Sequence, residues 1–491
     1  MWHGERARNG TGVAMDVEML KRRRTKIVAT LGPSSSDAAT IEKLIAAGVN
    51  VVRLNMSHGD HEAHAQAYKE LRTAAHNARN PIGVLVDLCG PKLRVGRFEG
   101  GGIDLVEGAS VVVTTREVVG EAGLIASQYA TLNEEIEAGA RILLDDGALE
   151  LRVDGVAGTE VTCTVVRGGR LKDRKGMNLP GSRLATPALT PKDIDDARFA
   201  IDLGADYLAL SFVRKAQDVE DLKALLPADD PPRIIAKIEH PDALDNIDAI
   251  IDAADGIMVA RGDLGVELPP EEVPVIQRRL VALARAHSKP CIVATQMLES
   301  MIEHAQPTRA EVSDVSTAVF SSADAVMLSA ETASGSYPVE AVAMMDRIAR
   351  QVEAHVFAER RFRAEGGDPV PAAGSSPVAE AVGVAVAQLS RDLRCRAIVV
   401  VSLGGTGATA RVMSAARPGA PIVGAAATLR GMLQQSLLWG VVPRLVQPAE
   451  IEEPEELAKR VAAQLDLAGA GDRILLVKGF EQSPSITVLE V

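Results

Sequence analysis

A surplus of basic residues is what this chain of 491 residues most plainly lacks: 66 acids outnumber 53 lysines and arginines, for a net charge of −13. Displacing counterions from phosphates needs a broadly basic surface, so nucleic acid is excluded as a partner, and a small anion fits only where its own site is basic. Cysteine is also scarce. Cys89, Cys163, Cys291 and Cys395 lie far apart with no CxxC pair, which gives no disulfide framework or thiolate metal site and suits a reducing compartment. Cys89, close to a strand end, reads as an ordinary thiol. No run approaches the roughly 18 apolar residues of a membrane span, so no membrane association is expected. Residues 1–24 end in Lys21-Arg22-Arg23-Arg24 and carry Glu5, Asp16 and Glu18 with no apolar h-region, so they read as a tail and not as a targeting segment. The protein is expected in the cytoplasm.

Short apolar runs, by contrast, are plentiful, and eight of them end in a polar or charged residue. They are Lys26 to Thr30, Val51 to Asn55, Val84 to Asp87, Tyr207 to Ser211, Ile234 to Glu239, Ile257 to Asp263, Cys291 to Thr295 and Val326 to Ser329. Runs of this length, rich in Val and Ile and alternating with helical patterns, read as parallel strands. Eight such strands close a (β/α)₈ TIM barrel, whose chemistry sits where the strands end. The intervening patterns predict helices over Asp37 to Gly48, His61 to Arg79, Pro191 to Gly204, Ala243 to Ala254, Val273 to His287 and Pro307 to Ser321, several opened by Pro or an acid and closed by Gly. A weak repeat supports stacked units: Ala205-Asp206, Ala254-Asp255 and Ala323-Asp324 each precede a strand, and Ser211, Ala260 and Ser329 follow five residues after each Asp.

The connection from Asp87 to Tyr207 is far longer than one helix needs. Residues 90–187 are dense in Val, Thr and Gly, with alternating segments at Ser110 to Thr115, Leu149 to Val153 and Glu160 to Val166, and predict an inserted small β-barrel lid domain. The barrel is then assigned residues 25–89 and 188–360. A linker rich in Gly, Pro, Ser and Ala, from Gly366 to Pro377, leads to a C-terminal open parallel α/β domain over residues 375–491, with strands at Ala397 to Val401, Pro421 to Gly424 and Arg473 to Val477.

Glu239 and Asp263 fall at the ends of the fifth and sixth runs, and two carboxylates completed by substrate oxygens and water are what magnesium prefers. Lys237 lies two residues before Glu239 and shares its side of the strand. An ammonium, a divalent ion and the Arg53 guanidinium converging on one point suit a phosphoryl group, whose transfer needs placed cations more than covalent help.

Several of these segments are more than isolated signals. Ile234-Ile-Ala-Lys-Ile-Glu-His-Pro-Asp-Ala-Leu244 resembles the active-site motif of the pyruvate kinase family, and Asn55-Met-Ser-His-Gly59, Met258-Val-Ala-Arg-Gly-Asp-Leu-Gly-Val-Glu267, Ala294-Thr-Gln-Met-Leu-Glu-Ser-Met301 and Pro307-Thr-Arg-Ala-Glu-Val-Ser-Asp314 match its other landmarks in order. The resemblance runs from about Thr25 to the C-terminus. It implies a glycolytic phosphotransferase that moves phosphate from phosphoenolpyruvate to ADP and then protonates enolpyruvate. By that resemblance Lys237 stabilises the moving phosphoryl, Arg53 binds the substrate phosphate, and Glu239 and Asp263 hold Mg²⁺, with Mn²⁺ as a substitute. Gly262 and Asp263 border the substrate, and Thr295, with Ser329 and Glu331, delivers the proton. Thr30, Pro33, Asn55, His58 and Arg94 flank the nucleotide, and Lys175, where the lid rejoins the barrel in Arg174-Lys-Gly-Met-Asn-Leu-Pro-Gly181, reaches its phosphates. A homotetramer and a sugar-phosphate or nucleotide effector, bound at Ser402, Gly404, Gly405, Thr406 and Gly407, are implied as well.

Two departures stand out. Many members hold K⁺ with the equivalents of Asn55, Ser57, Asp87 and the Leu88 carbonyl, followed by an acid where this chain has Lys92. A fixed ammonium there, with Leu88 and Val95, resembles the potassium-independent branch and implies that K⁺ is not required. Ala330 stands where a glycine is usual, beside the proposed proton relay. His58, His61 and His64 do not make a zinc site, because at helical spacing His58 and His64 diverge. Two other functions fit parts of the pattern: a magnesium-dependent aldolase or lyase acting on pyruvate enolate, which needs no ADP, and a non-catalytic sugar-phosphate sensor.

Overall fold

The computed structural model describes residues 22–182, 186–358, 377–401, 407–479 and 484–491. Eight parallel strands close into one barrel: β1 (Lys26–Thr30), β2 (Val51–Asn55), β3 (Gly83–Asp87), β4 (Tyr207–Leu210), β5 (Arg233–Ile238), β6 (Gly256–Ala260), β7 (Cys291–Ala294) and β8 (Ala325–Leu328). Each pairs with its neighbours in the chain, β8 closing on β1, as the expected TIM barrel requires. Both faces are covered, which is why the strands read as continuous apolar runs. Val28, Val51, Leu85, Ala209, Ile235, Met258 and Ile292 fill the interior, while Ile27, Val52, Val84, Leu208 and Ile257 pack outward against the helices.

The repeated Ala-Asp has a structural cause. Asp206, just before β4, donates its backbone N–H to Val84 O and accepts the Val84 N–H on its carboxylate at 2.8 Å. Asp255 does the same to Ile234 at 3.0 Å and Asp324 to Cys291 at 3.1 Å. Asn50, before β2, makes both bonds to Ile27, so the clamp occurs four times. Each satisfies an N–H in the first two residues of the preceding odd-numbered strand, at the barrel floor, so that a backbone donor there is not left unpaired.

The lid strands fall between Gly102 and Asn178 and form a separate β domain of two sheets. The larger has six strands, with Leu149–Ala157 and Glu160–Arg167 as its long central hairpin, around a core of its own that includes Val113, Ile125, Leu151, Val161 and Leu171. The C-terminal sheet has five strands in the order Val441–Leu445, Ile422–Ala426, Ala397–Val401, Arg473–Lys478, Ser485–Glu490. Four are parallel; the edge strand Ser485–Glu490 is antiparallel. Two of the five went unexpected: Pro443 and Arg444 break the apolar run of one, and the other, Ser485–Glu490, buries only Leu489 of its six residues.

The C-terminal domain also seals the barrel floor. Leu437 joins the interior barrel cluster, and the Tyr207 hydroxyl donates to Gln434 O at 2.7 Å. The polar site therefore has only the opposite, C-terminal rim in which to form.

Candidate active site

At that rim, β2, β3 and β5 bring Arg53, Asp87 and Lys237 together. Arg53 Nε lies 2.6 Å from Asp87 Oδ2, and its Nη1 donates to Thr30 Oγ1 at 3.1 Å. Lys237 Nζ donates to Ser211 Oγ at 2.7 Å and lies 2.9 Å from Glu239 Oε1 and 3.2 Å from Asp87 Oδ1. Ser211 in turn donates to Leu88 O at 2.7 Å. Burial works against charge on Lys237, but Asp87 and Glu239 outweigh it and hold the ammonium above the ordinary lysine range. Burial would likewise raise Asp87, yet Lys237 and Arg53 bring its carboxyl below the usual range. Lys237 is thus a permanent positive charge and not a base.

Glu239 is the first residue after β5, and its Oε2 accepts the Phe212 N–H at 2.8 Å. Asp263 is not on a strand. β6 stops at Ala260, and a short helix, Arg261–Glu267, starts at once, anchored by buried Leu264, so Asp263 reaches the rim from its first turn. Burial raises the Glu239 carboxyl above its usual range; Lys237 opposes the rise and the charge of Asp263 adds to it. A cation between two such carboxylates relieves both, and hard oxygen donors suit Mg²⁺. Among the described residues no group of three or more His, Cys, Asp or Glu is placed to hold a metal. Two protein ligands with the rest from substrate and water is the arrangement that Mg²⁺ favours, so the residues fit the ion.

Across the rim, Thr295 Oγ1 accepts the Gly262 N–H at 2.7 Å and donates to Ala294 O at 2.6 Å. Thr295 has φ +68° and Gln296 +53°, left-handed backbone that is strained for side-chain-bearing residues and clusters at functional sites. Arg261 imposes it, donating to Thr295 O at 2.6 Å and Gln296 O at 3.2 Å while Asp314 holds its other arm at 2.6 Å. Ser329 Oγ is buried and has no hydrogen-bond partner among the described residues. Glu331 does not face the rim: its carboxylate accepts the N–H groups of Leu298 at 3.1 Å and Ser329 at 2.7 Å.

The nucleotide-side residues gather less tightly. Asn55 Oδ1 accepts the Ser57 N–H at 3.1 Å. Partial burial, then the charges of Lys92, Arg53 and Arg94, push the His58 imidazole below its usual range, so these four share one neighbourhood. Arg94 donates to Arg174 O at 2.9 Å, and Lys175, half-exposed, is paired with Asp145 of the lid at 2.7 Å. Pro33 is exposed. Lys92, Asp146, Gly262 and Asp263 line a cleft of about 540 Å³ between lid and barrel. Of the proposed effector loop, Ser402, Gly404, Gly405 and Thr406 lie outside the described residues. Gly407 sits beside Tyr207, Arg233 and Pro290, at the barrel floor and far from this rim.

Two further residues belong to the site. Ser211, a strand-end serine, links Lys237 to Leu88; Arg261, inside a quoted motif, sets the Thr295 backbone. Neither role is visible without three-dimensional contacts.

With this geometry in place, similarity to known proteins decides the family. Residues 22–342 match the family model for the pyruvate kinase barrel domain and residues 380–488 that for the pyruvate kinase alpha/beta domain. The chain belongs to the pyruvate kinase family. Pyruvate kinase 2 of Synechocystis is 42% identical over 464 residues, covering 93% of this chain and 76% of that protein. The pyruvate kinase of Mycobacterium tuberculosis is 41% identical over 463 residues, covering 93% and 95%. The crystal structure of a pyruvate kinase from Cryptosporidium parvum superposes with a TM-score of 0.90 at 32% identity, covering 97% of this chain and 98% of that one. Similarity over this share of both pyruvate kinase chains includes the barrel, the inserted domain and the C-terminal domain.

Proposed function

We propose that this chain transfers the phosphoryl group of phosphoenolpyruvate to ADP, giving pyruvate and ATP. The observation that carries the reading is the cluster at one rim: Lys237 and Arg53 are both ion-paired with Asp87, with Glu239 and Asp263 beside them. The bond from phosphorus to the enol oxygen breaks while an oxygen of the ADP β-phosphate takes its place. Arg53 binds the phosphate of the substrate, and Lys237 meets the charge spread over the moving group, fixed in position before the reaction begins. Mg²⁺, or Mn²⁺ in its stead, held by Glu239 and Asp263, would supply further positive charge to the substrate oxygens. The enolate left behind takes a proton at its methylene carbon from the Thr295 side, where Gly262 and Ser329 also lie. Glu331 supports that side by holding the Ser329 and Leu298 backbone.

ADP is proposed to lie along Thr30, Pro33, Asn55, His58 and Arg94, with Lys175 released from Asp145 to meet its phosphates. K⁺ is proposed to be dispensable. The charge of Lys92, which acts on His58 in the same loop as Asn55 and Ser57, takes the ion's part, and the Leu88 carbonyl already accepts from Ser211. On family resemblance the enzyme is proposed to work as a cytoplasmic homotetramer under a sugar-phosphate or nucleotide effector.

The test is pyruvate formation from phosphoenolpyruvate and ADP, with and without K⁺, repeated on Lys237→Met. Wild type should be active without K⁺, and the variant should lose on the order of 10³-fold in kcat while still exchanging the methyl protons of pyruvate. A strict K⁺ requirement sinks the potassium reading. A fully active variant, or product without ADP as in an aldolase or lyase, sinks the reaction itself.

A further inference from the structure

The lid leaves the barrel after β3 and returns ahead of the helix Pro191–Leu203, and one buried carboxylate ties both crossings. Asp193, fully buried, accepts the Gly90 N–H of the outgoing chain on Oδ1 at 3.0 Å. On Oδ2 it accepts the Thr190 N–H at 2.9 Å and the Thr190 hydroxyl at 2.5 Å from the returning chain. Thr190 Oγ1 accepts the Asp193 N–H at 3.2 Å, so the capping box that starts the helix also clasps the lid. Gly90 is held tightly on its other side: with φ +68°, a Cβ there would lie 2.8 Å from the Phe212 ring and 2.9 Å from Ser211 Cβ.

The same helix turn reaches a third segment. Lys192 Nζ donates to Met56 O at 2.9 Å and is fixed by Asp196 at 2.5 Å, while Asp196 also holds His61 at 2.8 Å. Met56 lies between Asn55 and His58, and Gly90 lies two and four residues before Lys92 and Arg94. Two segments that bear proposed nucleotide contacts, Asn55 to His58 and Gly90 to Arg94, are therefore referenced together with the returning chain to one helical turn, whereas Lys237, Glu239 and Thr295 stand at the ends of other strands and Asp263 on the helix Arg261–Glu267.

We infer that Asp193 is a positioning residue for the nucleotide side of the site, fixing where the lid's two crossings and their basic residues stand relative to the barrel rim. It touches neither substrate; it acts through Gly90 and Thr190. The inference rests on the reaction proposed above. A group displaced by about 1 Å costs up to 10²-fold when it orients a reactant, so the loss should fall on ADP alone.

The experiment compares wild type with Asp193→Ala, Asp193→Asn and Thr190→Val, measuring KM for ADP and for phosphoenolpyruvate, the unfolding midpoint, and amide exchange at Gly90 and Lys92. In Asp193→Ala, KM for ADP should rise roughly tenfold with KM for phosphoenolpyruvate within about twofold, and exchange at both amides should accelerate by roughly tenfold. Asp193→Asn keeps an acceptor for Gly90 and should fall between that variant and wild type. An Asp193→Ala enzyme that folds with both KM values unchanged, or raised equally, overturns the inference. Should Asp193→Ala fail to fold, Thr190→Val decides: a selective rise in KM for ADP supports the clasp and none overturns it. A wild type that makes no pyruvate from phosphoenolpyruvate and ADP sinks the reaction instead, and the clasp is then judged on amide exchange in Asp193→Ala, where protection at Gly90 and Lys92 equal to wild type overturns it.

Discussion

Lys26 shows how a residue's chemistry depends on which end of a strand it occupies. At the floor end of β1 it is 7% exposed and donates Nζ to Val441 O at 2.6 Å. Burial, then Arg23 and Arg24, outweigh Glu353 and Asp324 and pull its pKa down to about 7. The unfolded chain restores an ordinary value of about 10.4. Between those two values the unfolded state binds the extra proton, so the stability contributed by this group rises with pH from about 7 towards 10 and is flat below. Lys26→Met should remove that slope: relative to wild type, the variant should lose about 2 kcal/mol of its advantage between pH 7 and pH 9. Urea midpoints of both proteins at the two pH values check it, and parallel pH dependences would contradict it. At this scale the sequence was legible where a charged residue interrupts or ends an apolar run, as at Arg53, Lys237 and Glu239. It was not legible where meaning lies in a partner far along the chain. Nothing in the order of residues says that Glu331 turns to Leu298, or that Arg261 bends Thr295.

Strands and helices were easier to read, because a strand covered on both faces has little freedom in composition. Short elements escaped: the helix Arg261–Glu267 has too few residues for a periodic pattern, so Asp263 was expected on a strand. The Ala-Asp repeat was legible as a pattern but not as a device, and its fourth copy was hidden because Asn50 substitutes for Asp while making the same two bonds. The device predicts its own energetics. Asp206 is buried, accepts the Val84 N–H and pairs with Arg72 at 2.8 Å. Asp206→Ala strands a buried N–H and a guanidinium and should cost about 2–3 kcal/mol in urea unfolding. Asp206→Asn, which keeps the acceptor as Asn50 does, should cost about 1 kcal/mol. Equal losses from the two substitutions would mean that the charge pair, and not the backbone clamp, is what the repeat preserves.

At the scale of the molecule, the C-terminal domain and the catalytic rim are joined through the barrel's own interior. Leu437 comes from the C-terminal domain yet packs in the cluster that includes Val28, Leu85, Met258 and Ala294, the last of these immediately before Thr295. Around it, Trp439 donates its backbone N–H to Asp324 at 3.3 Å, and Arg417 pairs with Asp324 at 3.0 Å and covers the Trp439 ring. A close-packed interior does not yield gradually, so a domain plugged into it should unfold with the barrel and not before it. Truncating the plug tests this. Leu437→Ala leaves a cavity beneath the barrel core and should cost about 2–5 kcal/mol. It should also separate two events that coincide in wild type. Trp439, in a Trp2→Phe background, reports the interface by fluorescence, and far-UV circular dichroism reports the whole chain. In wild type the two urea transitions should overlay. In Leu437→Ala the fluorescence transition should come first, as the C-terminal domain leaves a barrel that is still folded. If the two signals stay coincident and the midpoint does not move, Leu437 is filler at the barrel floor, and coupling between the domains must run through the Arg417–Asp324 pair instead.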